Sequence, residues 1–162
     1  MNKNDQIKLF DFLVKNKVEN FLGVPDSTMK HFINRGLEKN KIIITTKEEE
    51  AIGIATGMSL CKSKSLVFMQ NAGFANSIST ITSLVQLYKI PLIFLIGWRG
   101  YLSSDAPEHL LFGKIQPEIL KSLGMNTHIL DSKTWQKSAK WALDTISKGN
   151  SCALVIKREF HD

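Results

Sequence analysis

"SLVFMQNAGFANSISTITSLVQLYKIPLIFLIGW", residues 65–98, decides the fold. Its ends, "SLVFMQ" (65–70) and "PLIFLIGW" (91–98), are almost unbroken apolar runs of strand length. Between them "FANSISTITSLVQLYK" (74–89) has the composition of a helix. A strand that is apolar on both faces must be covered on both faces, which is the condition of a parallel sheet wrapped in helices.

The alternation continues in both directions. Upstream, "DQIKLFDFLVKN" (5–16) carries Ile7, Phe10, Leu13 and Val14 at helical spacing. A strand at 20–24 follows, then a helix over 26–39 opened by a capping residue, a β-branched strand over 41–46 and a helix over 48–62. Downstream, a looser stretch from Arg99 to Phe112 leads to a short helix near 116–123. A strand at 126–130, a helix at 132–147 and a last strand at 152–157 complete the chain. The expectation is a doubly wound α/β domain: a mainly parallel sheet of about six strands, helices on both faces, and one domain over residues 1–162. Ligands of such sheets meet the loops at the carboxyl ends of the strands. Four of those loops are "GVPDS" (23–27), "TTKEE" (45–49), "QNAGFAN" (70–76) and "GWRG" (97–100).

Composition narrows the function. The chain has 162 residues, 43% of them hydrophobic, enough for one sizeable core. The start "MNKNDQIKLF" has no apolar core of a signal peptide, and the longest apolar run is far short of a bilayer span. A cytoplasmic protein is expected. Cys61 and Cys152 have no metal-ligand spacing and read as buried free thiols. The net charge is +6, but the lysines are scattered and not interleaved with aromatics, so neither nucleic acid nor a membrane is expected as a partner.

"TTKEEEAIGIATG" (45–57) runs three carboxylates into small, apolar residues. Acidic residues favour a helix's first turn, where Thr45 or Thr46 would cap it. The alternative is that one glutamate enters a site. Glu48 shares a face with Ala51, Ile52 and Ala55, the inward-looking stripe, so spacing favours Glu48 as the inward one. Gly53 and Gly57 leave room for another backbone or subunit. "QNAGFAN" is neither a phosphate loop nor a dinucleotide fingerprint. Arg99, between glycines, can aim a planar fork at an oxyanion, or pair with Asp105 or Glu108 and order the loop. His109 is a possible acid–base group; His31, His128 and His161 have no partner pattern, and no metal site is expected.

These motifs, "GVPDS", "EEEAIGIATG" (48–57), "QNAGFANSISTITSL" (70–84) and "IGWRG" (96–100) followed by "PEH" (107–109), resemble the pyrimidine-binding domain of thiamine-diphosphate-dependent 2-oxo acid decarboxylases. The nearest branch is that of phosphonopyruvate and sulfopyruvate decarboxylases, and the likeness covers residues 5–157. It implies that Glu48 is catalytic and hydrogen-bonds N1′ of the cofactor's aminopyrimidine. It implies cofactor contacts from Glu48, Asn71, Gly73 and Phe74, and substrate contacts from Ser27, Asn71, Arg99 and His109. The family's Gly-Asp-Gly segment for diphosphate and Mg²⁺ is absent from the sequence. The resemblance therefore implies either one half of a two-subunit enzyme or a truncated piece of a longer one, and the first fits better: an α subunit whose partner, a separate β subunit, binds Mg²⁺ and shares the thiamine diphosphate in a hetero-oligomer. The expected reaction is decarboxylation of 3-phosphonopyruvate, with sulfopyruvate, or a non-catalytic regulatory role, as the alternatives. Ala72 stands where the family often has Ser.

Overall fold

Six strands lie side by side in a computed structural model that describes residues 1–157. They are β1 (Val18–Gly23), β2 (Ile42–Ile44), β3 (Lys64–Gln70), β4 (Leu92–Trp98), β5 (Thr127–Leu130) and β6 (Cys152–Lys157). The sheet order is β2-β1-β3-β4-β6-β5, and every neighbouring pair is parallel. The expected doubly wound α/β sheet is the observed one.

Alternation along the central strands explains their unbroken apolar character. Leu66 and Phe68 of β3, with Ile93 and Leu95 of β4, join one core; Val67 and Met69, with Phe94 and Ile96, join the other. The first core is closed by α1 (Lys3–Lys15), α2 (Lys30–Glu38) and α7 (Trp135–Ser147). The second is closed by α3 (Glu48–Leu60), the helical run from 71 to 86 and α6 (Pro107–Ser122). The chain leaves β1 for β2 at one edge, then crosses back to β3 on the other side of β1. The carboxyl ends of β1 and β3 thus flank a topological switch point, where connections diverge and a crevice opens.

Three elements depart from the expectation. The edge strand β2 is three residues rather than six, and Ile43 and Ile44 are 42% and 47% exposed. The helix read over 74–89 starts earlier and changes pitch. It comprises α4 (Asn71–Asn76), the short α5 (Ile78–Thr80) and a π-helical stretch over Ile81–Gln86. Hydroxyls of Ser77, Thr82 and Ser83 donate to carbonyls three and four residues back, competing with the regular helical ladder.

The third departure is α6. The loose stretch expected to Phe112 ends at residue 106, and the helix runs from Pro107 through Pro117. An internal proline leaves the carbonyl four residues earlier without its helical donor. That carbonyl is Gly113 O, and it accepts instead from the Trp98 indole Nε1 at 2.8 Å. The donor that makes Pro117 tolerable comes from a distant strand, beyond the reach of local pattern.

Cys152 is buried in β6, where burial pushes its thiol up to about 12. Cys61 is exposed rather than buried, because it caps the carboxyl end of α3 beyond the last inward position. Among the described residues no helix is long and apolar enough to cross a membrane, and no group of three His, Cys, Asp or Glu could hold a metal ion. His161 lies outside the described residues.

Candidate functional site

The three glutamates separate by what they touch. Glu50, at the third helical position, reaches back to accept from the Thr46 backbone N–H and the Thr46 hydroxyl, both at 2.9 Å. The Thr46 backbone bond, then its hydroxyl, hold the Glu50 carboxyl below its ordinary value. The helix-start acid is therefore Glu50. The N-cap is Lys47, with no side-chain cap bond, so neither Thr45 nor Thr46 caps α3 as expected. Thr45 Oγ1 donates to Lys47 O at 3.0 Å and ties the turn instead.

Glu48 has no such task. Its half-buried side chain leans on Gly73, the third residue of α4. A Cβ at Gly73 would stand 2.1 Å from Glu48 Oε1 and 2.4 Å from its Cδ, so a side chain there would displace the carboxylate from this position. Among the described residues the Glu48 carboxylate has no hydrogen-bond or ion-pair partner. α3 and α4 hold it at the carboxyl end of the sheet as a half-exposed acceptor.

A second carboxylate lies across the crevice. Asp26, buried just after β1, accepts from Thr28 N–H at 2.9 Å, from the Thr28 hydroxyl, and from Gln70 Nε2 at 3.0 Å. It packs on Gly97 of β4, where a Cβ would lie 2.4 Å from Asp26 Oδ1. Asp26 thus stitches together the ends of β1, β3 and β4. The sequence offered it only as a helix-capping residue.

The turn after β4 is tied at three points. Asn71 Nδ2 donates to the Arg99 carbonyl at 2.8 Å. Arg99 donates to Asp105 from Nε at 3.0 Å and from Nη2 at 2.7 Å, and from Nη1 to Ser27 Oγ at 3.2 Å. Asp105 also accepts from Gly100 N–H at 2.8 Å and Ala106 N–H at 2.9 Å. The Arg99 guanidinium, then these backbone donors, hold the Asp105 carboxyl well below the usual range despite its burial. Gly100 adopts φ +73°, and the His109 carbonyl lies 1.9 Å from where its Cβ would be.

Of the expected site residues, Glu48 and Gly73 come together, and so do Ser27 and Arg99. Asn71 is 1% exposed, with its amide turned to the Arg99 carbonyl. Phe74 is fully buried, because one turn into α4 its position faces the sheet. His109 sits half-buried in the first turn of α6, and its ring has no hydrogen-bond partner among the described residues. Sequence reading passed over Gln70 as the partner of Asp26.

Residues 7–124 match the family described as thiamine pyrophosphate enzyme, N-terminal TPP binding domain. The chain is 32% identical to sulfopyruvate decarboxylase subunit alpha of Methanocaldococcus jannaschii, over 67% of this chain and 65% of that one. The same subunit of Methanococcus maripaludis is also 32% identical, over 76% of this chain and 74% of the relative. Phosphonopyruvate decarboxylase of Streptomyces viridochromogenes is 30% identical over 69% of this chain, but only 29% of that longer protein. The fold resembles part of a 2-oxoglutarate:ferredoxin oxidoreductase from Magnetococcus marinus. The TM-score is 0.73 at 17% identity, over 97% of this chain and 29% of the other.

Proposed function

The chain belongs to the thiamine pyrophosphate enzyme family, as an N-terminal TPP binding domain, and from that premise we propose that it is the pyrimidine-binding α subunit of a two-subunit 2-oxo acid decarboxylase. The observation that carries this reading is the Glu48 carboxylate, seated on Gly73 at the mouth of the switch-point crevice with no hydrogen-bond or ion-pair partner among the described residues. Such an acceptor fits N1′ of an aminopyrimidine. Glu48 would hold a proton between itself and that nitrogen, a role suited to a half-buried carboxylate. When bound, thiamine diphosphate would supply the electron sink for decarboxylation. Gly73 keeps Glu48 in place, and Asp26, through Gln70, keeps the two strand ends at a fixed separation. The diphosphate and Mg²⁺ are assigned to a separate β subunit, and the pair to the cytoplasm.

Ser27 and Arg99 form the substrate side. Ser27 Oγ accepts from Arg99, so its own proton is left to donate outward. Arg99 is the cation of this cluster, and Asp105, Asp26 and Glu108 all bear on its charge. A second anion on the substrate is therefore matched by one guanidinium amid carboxylates. That balance favours a singly charged sulfonate over a phosphonate, which takes a second charge near neutral pH. We infer sulfopyruvate as the substrate, in keeping with similarity to relatives named as alpha subunits. Phosphonopyruvate is the second reading, supported by the likeness to phosphonopyruvate decarboxylases. The test is CO₂ release by the chain combined with its partner, thiamine diphosphate and Mg²⁺, assayed in parallel on sulfopyruvate, phosphonopyruvate and pyruvate. Turnover of a 3-substituted pyruvate only when both chains are present is expected. Turnover by this chain alone, or none by the complex, overturns the reading.

A further inference from the structure

Arg99 has two bidentate edges, and among the described residues only one of them meets a carboxylate. The Nε–Nη2 edge lies against Asp105, at 3.0 Å from Nε to Oδ2 and 2.7 Å from Nη2 to Oδ1. The outer edge, Nη1 with the second proton of Nη2, points the other way, and its Nη1 end meets the exposed Ser27 hydroxyl at 3.2 Å. Asp105 is itself immobilised. Its side chain is 1% exposed, and its oxygens accept from Gly100 and Ala106 N–H at opposite ends of the turn. Asn71 fixes the Arg99 carbonyl from behind. A long, flexible side chain is thus held in one plane before any ligand arrives, with its free edge beside the Ser27 hydroxyl.

We propose that Asp105 is a positioning residue that determines specificity, by aiming the outer edge of Arg99 at an oxyanion on C3 of the substrate. The role rests on the decarboxylase reading above. Asp105 does not touch the substrate; it acts through Arg99. Bidentate recognition requires a fixed guanidinium plane, and pre-ordering removes the entropy cost of fixing it at binding. Loop closure alone would need only the contacts to Gly100 and Ala106. The additional pairing of Asp105 with the Nε–Nη2 edge is what selects which edge of Arg99 faces the crevice.

The test uses the assembled enzyme with Asp105→Asn, Arg99→Lys and the double variant. Sulfopyruvate and phosphonopyruvate are compared with pyruvate, which lacks the C3 anion. Asp105→Asn is expected to lower kcat/KM for the preferred 3-substituted substrate roughly ten-fold more than for pyruvate, mainly through KM, the scale of a charge-assisted bond. In the Arg99→Lys background, which has no fork to aim, Asp105→Asn should add little further discrimination. In parallel, the Arg99 Nε–H resonance of the full chain is expected to exchange slowly in the native protein and rapidly in Asp105→Asn. Equal losses for both kinds of substrate, or the same loss of discrimination with and without Arg99, reduce Asp105 to loop closure and overturn the proposal. Failure of the unaltered complex to decarboxylate either 3-substituted pyruvate overturns the underlying reading instead.

Discussion

Glu48 and Glu50 stand two positions apart and face different tasks. Glu50 restrains the turn before α3, whereas the Glu48 carboxylate rests on Gly73 with no hydrogen-bond partner among the described residues. Glu48→Gln keeps the shape but loses the ability to hold a proton. In the complex it is expected to lower kcat by about 100-fold or more, with the melting temperature nearly unchanged. Glu50→Gln should do the reverse, with a small loss of thermal stability and near-native kcat. Steady-state kinetics and thermal melts of both variants check the assignment; a crippled Glu50→Gln beside a normal Glu48→Gln would refute it. Helical periodicity pointed to Glu48 in the sequence, but the partner that seats it, Gly73, is 25 positions away, and no local spacing links them. His128 makes a separate prediction. Its ring stacks on Trp141 at 3.8 Å and 4°, with Nδ1 3.2 Å from Ser138 Oγ. Burial, then Lys137, lowers its pKa below the ordinary 6.5. The unfolded chain therefore binds this proton more readily than the folded one. Stability should fall as pH drops from about 6.5 towards the lowered folded value, and the penalty is complete below that value. Chemical denaturation between pH 5 and 7.5 tests this, because His128→Phe should flatten the slope in that window.

At the level of elements, boundaries were legible wherever one local force set them. The central strands β3, β4 and β6 match the apolar runs closely because burial on both faces leaves one arrangement. α6 was misread because its first turns precede a proline that reads as a break, and the compensating donor lies on β4. That compensation is measurable. Trp98→Phe removes the donor to Gly113 O and should cost about 1 kcal/mol of stability. Pro117→Ala restores a backbone N–H to the same carbonyl, so Trp98→Phe should cost clearly less in that background. Additive effects in the double-mutant cycle would mean that the indole contributes only packing. On the same helix Gln116 is fully buried, and neither its Nε2 nor its Oε1 has a partner among the described residues. Gln116→Met keeps the bulk and removes both unsatisfied atoms. It should raise unfolding stability by about 1–3 kcal/mol, read from denaturant midpoints. A loss of stability would show that the carboxamide is satisfied in solution.

For the whole molecule, the parallel sheet follows from alternation of helix and strand, yet the site is less a property of one motif than of the ends of β1, β3 and β4 meeting. Glu48 on Gly73 and Asp26 on Gly97 are contacts between motifs that the sequence presents as separate loops. The outer face of α3 extends the same reasoning beyond the chain. A Cβ added to Gly53 or Gly57 would meet nothing within 4 Å. An alanine at either position would favour the helix by up to about 1 kcal/mol, so the isolated fold gives no reason for glycine there. Nearby, Ile54 is 38% exposed and Leu60 71%; farther along the same side of the sheet, Leu87 and Tyr88 are 67% and 66% exposed. Small residues beside uncovered apolar ones suit close approach by the proposed β subunit. Gly57→Ala should therefore stabilise the isolated chain. Gly57→Leu should leave the isolated chain folded, by circular dichroism and melting temperature, yet weaken assembly with the partner at least ten-fold, a loss of about 1.4 kcal/mol. Sedimentation of mixed chains at graded concentrations reads that shift. If Gly57→Leu assembles as tightly as the native chain, this face of α3 is not the contact surface.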